Sequence, residues 1–238
     1  MNRRRYLGSL AATGALATAG CLDALPGGGG DSRTVLPEPE IDLSEAAHPS
    51  YGDEIPSITL PDPILGEQIS TEELAGERAQ LLTFFYTNCP DGMCPALILR
   101  LRRAQEVAAS EGYADDAAFL PITFDPERDT GAALREYANE RSIDLDAGNW
   151  HFLRPESYEE GQEVIRENFG LEIEKTEPDE YDNLEYVFPH YNLILLVNKE
   201  GIVERAYPNA VGVDVSTVTD DFEERSEEHT SELQSLSH

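Results

Sequence analysis

Basic residues are scarce in this chain, and lysine is almost absent. The 238 residues include 17 Lys or Arg against 47 Asp or Glu, which gives a formal net charge of −30, and the lysines are Lys175 and Lys199 alone. So acidic a chain repels polyanions, and we therefore exclude nucleic acid as a partner. At molar salt the Debye length falls to about 3 Å and carboxylates keep a protein surface hydrated, so the composition predicts a halophilic type of protein.

The N-terminal region lacks an apolar run long enough to cross a bilayer. The weakly apolar stretch 7–19 is shorter than the roughly 20 residues that a membrane-spanning helix needs. The start MNRRRYL resembles a twin-arginine export motif, and TAGC resembles a lipobox in which Cys21 is lipidated. We therefore expect 1–21 to be a signal and the protein to be lipid-anchored at the extracytoplasmic face of the cell membrane.

Cysteine is scarce as well. The chain has three cysteines, and with Cys21 assigned to lipidation only Cys89 and Cys94 remain for the exported domain. Outside the cytoplasm free thiols oxidise unless something uses them, and two sulfurs are too few for a closed zinc or iron–sulfur site. The residues alone leave three roles open for this pair: a metal site, a redox pair or a structural disulfide.

Two segments are expected to lie outside the folded domain. Residues 22–55 are rich in glycine, proline and acid with no sustained period, which predicts a flexible tether. The tail 225–238 contains RSEEHTSELQS, which resembles the in-frame translation of a sequencing-library adapter. We interpret this tail as an assembly artefact and expect the true C-terminus to be missing.

Between the tether and the tail, hydrophobic periodicity predicts alternating strands and helices. The predicted strands are 80–86, 117–124, 150–154 and a hairpin over 191–208, and the predicted helices are 95–110, 130–142, 157–170 and 214–224. We therefore predict a single α/β domain over 56–224, with a mixed central sheet flanked by helices on both faces. A cysteine motif between a buried strand and the following helix is the thioredoxin-like arrangement.

In the stretch TNCPDGMCP, one cysteine is expected at the start of a helix and the other in the turn before it. Cys94 precedes Pro95 at the start of a helix, where the macrodipole favours a thiolate, so we expect its reactivity to be raised. Cys89 lies five residues earlier, and a turn through Gly92 is expected to bring the sulfurs together. His190, just before the last hairpin, is the candidate for a third ligand.

These residues together resemble the Sco/SenC family of membrane-anchored copper chaperones. Four segments within about 58–224 carry the resemblance: FFYTNCPDGMCP, PITFDPERDTGAALREYA, WHFL and HYNLILLVNKEG. The resemblance implies a thioredoxin-like fold with Cu(I) or Cu(II) bound by Cys89, Cys94 and His190. It further implies copper delivery to, or thiol reduction for, the dinuclear copper centre of cytochrome c oxidase subunit II.

One departure from the family keeps alternatives open. The family usually has three residues between its cysteines, whereas Cys89 and Cys94 enclose four. An alternative is a thiol-disulfide oxidoreductase or peroxiredoxin-like enzyme, in which the same two cysteines are catalytic. A third hypothesis is a binding module whose two cysteines form a structural disulfide.

Other polar side chains are expected to have simpler roles. Asp91 is expected to cap the helix, and Met93 to pack rather than ligate. A turn, cap and ion-pair cluster is predicted beside the site, formed by Asp125, Arg128 and Asp129. No ligand role is assigned to the remaining histidines, which are His48, His151, His229 and His238.

Overall fold

The computed structural model describes residues 33–178, 184–189 and 191–224. The strands are Thr59–Asp62 (β1), Glu67–Ser70 (β2), Ala79–Phe85 (β3), Ala117–Thr123 (β4), Ile194–Val197 (β5) and Val203–Tyr207 (β6). The helices are Thr71–Leu74 (α1), Met93–Glu111 (α2), Gly131–Glu140 (α3), Tyr158–Phe169 (α4) and 215–224 (α5). Within these ranges, no helix has the length and apolar character needed to cross a bilayer.

The central sheet has the strand order β4-β3-β5-β6. β3 pairs in parallel with β4, and antiparallel with β5, which in turn pairs antiparallel with β6. Every residue of β3 and β4 is buried, so both faces of these strands are covered, and this explains why they appear in the sequence as continuous apolar runs. The predicted mixed sheet is confirmed.

The helix boundaries follow the capping residues. The hydroxyl of Ser157 accepts the Glu160 amide at the start of α4, and that helix ends at Gly170 in the left-handed conformation. Thr130 caps α3 in the same way as Ser157 caps α4. Because these caps were visible in the sequence, the predicted helices agree with the structure at these ends.

The strand predicted over 150–154 forms only two isolated bridges to β4. Trp150 pairs with Phe119 and Leu153 pairs with Ile122, both in parallel. Between them, Pro121 accepts the amide of Leu153 but has no N–H to donate back to this segment. The proline therefore interrupts the ladder, and a continuous strand does not form.

The part of the predicted tether that the structure describes packs against the domain. Leu36 is only 2% exposed, and the buried carboxylate of Glu204 accepts the backbone amides of Val35 and Leu36 at 3.0 Å. Within the predicted tether 22–55, the described residues 35–36 and 52–53 are therefore hydrogen-bonded to β6. The β1–β2 hairpin was not predicted, since its strands have only four residues each and one contains a proline.

Candidate metal and thiol site

The site begins where β3 ends and α2 starts. Gly92 adopts φ 81° immediately before α2, a left-handed conformation that glycine accepts without strain. Oδ1 of Asp91 accepts the amide of Met93 at 3.1 Å and the thiol of Cys89 at 3.2 Å. Asp91 therefore satisfies the first amide of the helix, as predicted, and also orients a thiol.

The two cysteines lie side by side as free thiols. The Cys94 amide donates to Sγ of Cys89 at 3.3 Å, and both cysteines are free thiols. The extra residue in the loop therefore still leaves the Cys89 sulfur against the backbone of Cys94. The turn has brought together the two predicted site residues.

The expectation that Cys94 is the activated thiol is wrong. Its side chain is buried, with 2% exposure. Burial raises its pKa well above the usual value, and the hydrogen bond and charge of Cys89 raise it further. The positive end of the helix acts instead on Cys89, because the Cys94 amide points at the half-buried Cys89 sulfur.

An aromatic cluster lies beside the cysteine turn. Tyr86, Phe124 and Phe188 contact one another pairwise, with ring centroids 5.1 to 5.2 Å apart. They come from the ends of β3 and β4 and from the segment 184–189. This third segment is thus packed against the strand that leads into the cysteine motif.

Asn192, which follows position 190, also contacts the cysteine turn. Nδ2 of Asn192 lies 3.9 Å from Sδ of Met93, so this sulfur faces Asn192. His190 lies outside the described residues. Of the described residues near it, Phe188 contacts Tyr86, three residues before Cys89, and Asn192 contacts Met93, which precedes Cys94.

The loop between β4 and α3 forms the predicted polar cluster beside the site. Asp129 accepts the amide of Thr87 and the hydroxyls of Thr87 and Thr123. Burial raises the pKa of Asp129 to about 6, although these hydroxyls lower it. Nε of Arg128 is 3.6 Å from Asp125, whose pKa burial also raises. The cluster is largely withdrawn from solvent.

The described histidines lie away from the thiols. Nδ1 of His151 is 3.7 Å from Asp62 in the core, and Nδ1 of His48 contacts the carbonyl of Pro49. Cys21, His229 and His238 lie outside the described residues. In the part of the chain that the structure describes, no group of three or more His, Cys, Asp and Glu side chains is arranged to hold a metal ion.

Sequence reasoning missed three residues that shape the site. Thr87 was passed over because it lies between a strand and a cysteine without a motif of its own. Tyr186 and Phe188 precede His190 at alternate positions, a spacing that places both on one side of an extended segment. That alternation is the signal that could have assigned them to the site.

The sequence is similar to one protein family and to a protein within it. A family model described as SCO1/SenC matches residues 64–225. A SCO2-like protein of Rickettsia prowazekii (strain Madrid E) is 27% identical over 139 residues, which is 57% of this chain and 60% of that protein. The chain therefore matches less than two thirds of the length of this curated relative.

Solved structures resemble the whole domain. ScoI of Arabidopsis thaliana, crystallised with copper bound, has a TM-score of 0.54 and 27% identity, covering 74% of this chain and 98% of that one. BsSco, a member of the Sco family of cytochrome c oxidase assembly proteins with a disulfide switch, has a TM-score of 0.57 and 22% identity, covering 75% and 96%. The predicted thioredoxin-like fold is confirmed by these matches.

Proposed function

Since the chain belongs to the SCO1/SenC family, we propose that it is a copper-binding assembly factor for the dinuclear copper centre of cytochrome c oxidase, with subunit II as its partner. Copper is the cargo, held by Cys89, Cys94 and His190 and then released to the partner. Two similar proteins support this function. One was crystallised with copper bound, and the other is a member of a family of cytochrome c oxidase assembly proteins.

The observation that carries the proposal is that the Cys89 sulfur lies against the backbone of Cys94 at a helix N-terminus. Soft sulfur ligands select Cu(I), and Cys89 and Cys94 present two of them in one turn, where the Cys94 amide donates to Sγ of Cys89 at 3.3 Å. The donor set therefore fits copper, although the loop between the cysteines is one residue longer than the family usually has. Gly92 in its left-handed conformation lets this longer loop turn directly into the helix.

The third ligand is proposed to be His190. Phe188 packs on Tyr86, and Asn192 contacts Met93. These contacts of the described residues on either side of position 190 support the proposal. Imidazole nitrogen suits copper as a ligand, and among the described histidines His48 and His151 have other partners.

We further propose that the protein works at the outer face of the cell membrane. This rests on the sequence of 1–21, where the twin arginines predict export and Cys21 predicts a lipid anchor. Growth of cells with labelled fatty acid would test it: wild-type protein becomes labelled and Cys21→Ala does not. Labelling that persists in the variant would contradict the anchor.

Titration of the reduced full chain with Cu(I) against a competing chelator, in molar KCl, tests the copper proposal. We expect about one copper per chain and loss of binding in Cys89→Ser and Cys94→Ser, because each removes a sulfur ligand. His190→Ala should weaken binding by more than the roughly 10- to 100-fold that loss of an outer-shell partner causes.

The matched controls are His48→Ala, which removes a histidine bonded to Pro49, and Met93→Leu, which removes the nearby thioether. Both should bind copper like the wild type. If His190→Ala has unchanged affinity, the three-ligand site is wrong, and a wild-type chain that does not bind Cu(I) would refute the copper proposal altogether.

A second candidate function is favoured by the same arrangement of the two cysteines. The pair can reduce a partner disulfide: the thiols of Cys89 and Cys94 give up two electrons and two protons, the partner disulfide becomes two thiols, and a Cys89–Cys94 disulfide remains. Turnover of a disulfide substrate distinguishes the two functions. Tight Cu(I) binding without turnover would exclude disulfide reduction as the main activity.

A further inference from the structure

The loop between β4 and α3, residues 124–130, contacts both chain segments that lead to the proposed ligands. One segment is the end of β3 with the cysteine turn, and the other is 184–189, which precedes His190. The role assigned to this loop, which rests on the proposed copper site, is to hold these two segments relative to each other.

On the cysteine side, Asp129 holds Thr87. The buried carboxylate accepts the Thr87 amide at 3.2 Å with each oxygen and also accepts the Thr87 hydroxyl. Thr123, at the end of β4, donates to the same carboxylate. Because Thr87 lies two residues before Cys89, Asp129 ties the start of the cysteine turn to β4.

On the histidine side, Asp125 and Arg128 hold Tyr186. The Tyr186 hydroxyl donates to Oδ1 of Asp125 at 2.8 Å. The Arg128 guanidinium lies 3.4 Å above the Tyr186 ring and donates to the Tyr186 carbonyl at 3.2 Å. Side chain and backbone of Tyr186 are therefore both fixed, four residues before His190.

The charged groups of this loop are expensive to bury. The side chain of Asp125 is 1% exposed and that of Arg128 is 22% exposed, and Asp129 is fully buried. Buried charged groups stabilise a fold no better than well-packed apolar side chains, but the hydrogen bonds of this loop to Tyr186 and Thr87 are directional and set one geometry. Such groups between two ligand-bearing segments suit a role in fixing distance and orientation.

We propose that Asp125, Arg128 and Asp129 are positioning residues for the copper site. Together they form a rigid spacer that sets the separation of the cysteine turn from the segment leading to His190. A preformed separation strengthens binding because the ligands lose less freedom when the metal is bound. Substitutions at the two ends of the spacer should therefore affect Cu(I) affinity and the reduction potential of the cysteine pair differently.

The histidine end is tested with Tyr186→Phe and Arg128→Gln in the full chain. We expect the Cu(I) dissociation constant to rise by about tenfold, which is within the range for loss of an outer-shell partner. The reduction potential of the Cys89–Cys94 pair should stay at its wild-type value, because neither variant touches the cysteine turn.

The cysteine end is tested with Thr87→Val, which removes the hydroxyl that donates to Asp129. Here both the Cu(I) affinity and the reduction potential should change, since the turn that holds both sulfurs is loosened. Thr87→Ser keeps the hydroxyl and should restore both values. Asp129→Asn is a second variant with the same expected outcome as Thr87→Val.

Matched controls separate positioning from general stability. Tyr51→Phe removes a tyrosine hydrogen bond to the Leu36 carbonyl, and Arg166→Gln removes an exposed arginine paired with Glu167. Neither should alter affinity or potential. If Tyr51→Phe weakens copper as much as Tyr186→Phe, or if Tyr186→Phe shifts the potential, the spacer is refuted.

Hydrogen exchange distinguishes failure of this inference from failure of the copper proposal. Without any copper, the amides of 184–191 should exchange about tenfold faster in Tyr186→Phe and Arg128→Gln than in the wild type. Unchanged exchange overturns the spacer whether or not the wild type binds copper. If the two variants exchange faster than the wild type but the wild type binds no copper, the spacer is supported and only the copper site is refuted.

Discussion

Cys89 and Cys94 are five residues apart but lie in different surroundings. Cys94 is buried and its pKa is raised, whereas Cys89 is half-buried and receives the Cys94 amide. We expect iodoacetamide at pH 8 to alkylate Cys89 at least about tenfold faster than Cys94 in the reduced native chain, because the thiolate is the reactive form. Mass spectrometry of timed samples measures both rates.

Two controls accompany this residue-scale prediction. In Cys89→Ser, Cys94 should remain slow, because burial is the main cause of its raised pKa. In guanidinium both thiols should react at similar rates. Equal rates in the native chain would mean that Cys94 is more accessible than its 2% exposure indicates.

At the scale of elements, a buried carboxylate on β6 helps to hold the segment 33–36. Glu204 is fully buried, and its carboxylate accepts the amides of Val35 and Leu36 and the side chain of Asn198. Glu204→Gln replaces one acceptor oxygen with a donor. We expect the free energy of unfolding to fall by about 2 kcal/mol, the usual penalty for a buried donor left unpaired.

Urea denaturation measures this change in the free energy of unfolding. Hydrogen exchange of the amides of 33–36 shows whether the loss of stability lies in this segment. The matched control is Glu200→Gln, an exposed position in the turn before β6, where no loss is expected. Unchanged stability in Glu204→Gln would show that the segment contributes little to the fold.

At the scale of the whole molecule, charge repulsion opposes folding. The net charge is −30, and the Debye length shortens from about 10 Å at 0.1 M salt to about 3 Å at 1 M. We therefore expect the urea midpoint to rise steadily between 0.1 and 2 M KCl, because added ions screen the repulsion among surface carboxylates. Circular dichroism at each salt concentration measures the midpoint.

A less acidic variant is the control for screening. Glutamine at four exposed positions, Glu67, Glu77, Glu111 and Glu136, should raise the midpoint most at 0.1 M KCl and least at 2 M. An uncharged osmolyte at matched osmolality should not reproduce the effect of KCl. A midpoint independent of KCl would mean that repulsion is not what limits the stability of this chain.

Much of the fold was predictable because its signals are local. β3 and β4 appear as largely apolar runs since both of their faces are buried. α4 begins after Ser157 and ends before Gly170 because a hydroxyl and a left-handed glycine satisfy the helix ends. The β1–β2 hairpin has no comparable signal. Its short strands are stabilised by their neighbours, which the local pattern does not record.

The sequence by itself determined which residues are candidates for the site, because cysteine and histidine are the residue types with the required donor atoms and the chain has few of them. Only the tertiary structure decided how each thiol behaves. Burial of Cys94 depends on the packing around the start of α2, and this packing outweighs the local helix effect that predicted an activated sulfur.

The same distinction holds for the surroundings of the site. The sequence separates Thr87, Asp129 and Tyr186 by tens of residues, and no local pattern relates them. The parallel pairing of β3 with β4 places the loop after β4 beside the cysteine turn, and the aromatic contacts of Phe188 bring in the third segment. Hydrogen bonds and side-chain packing act over a few ångströms in space, so only the folded chain could show which of these residues meet.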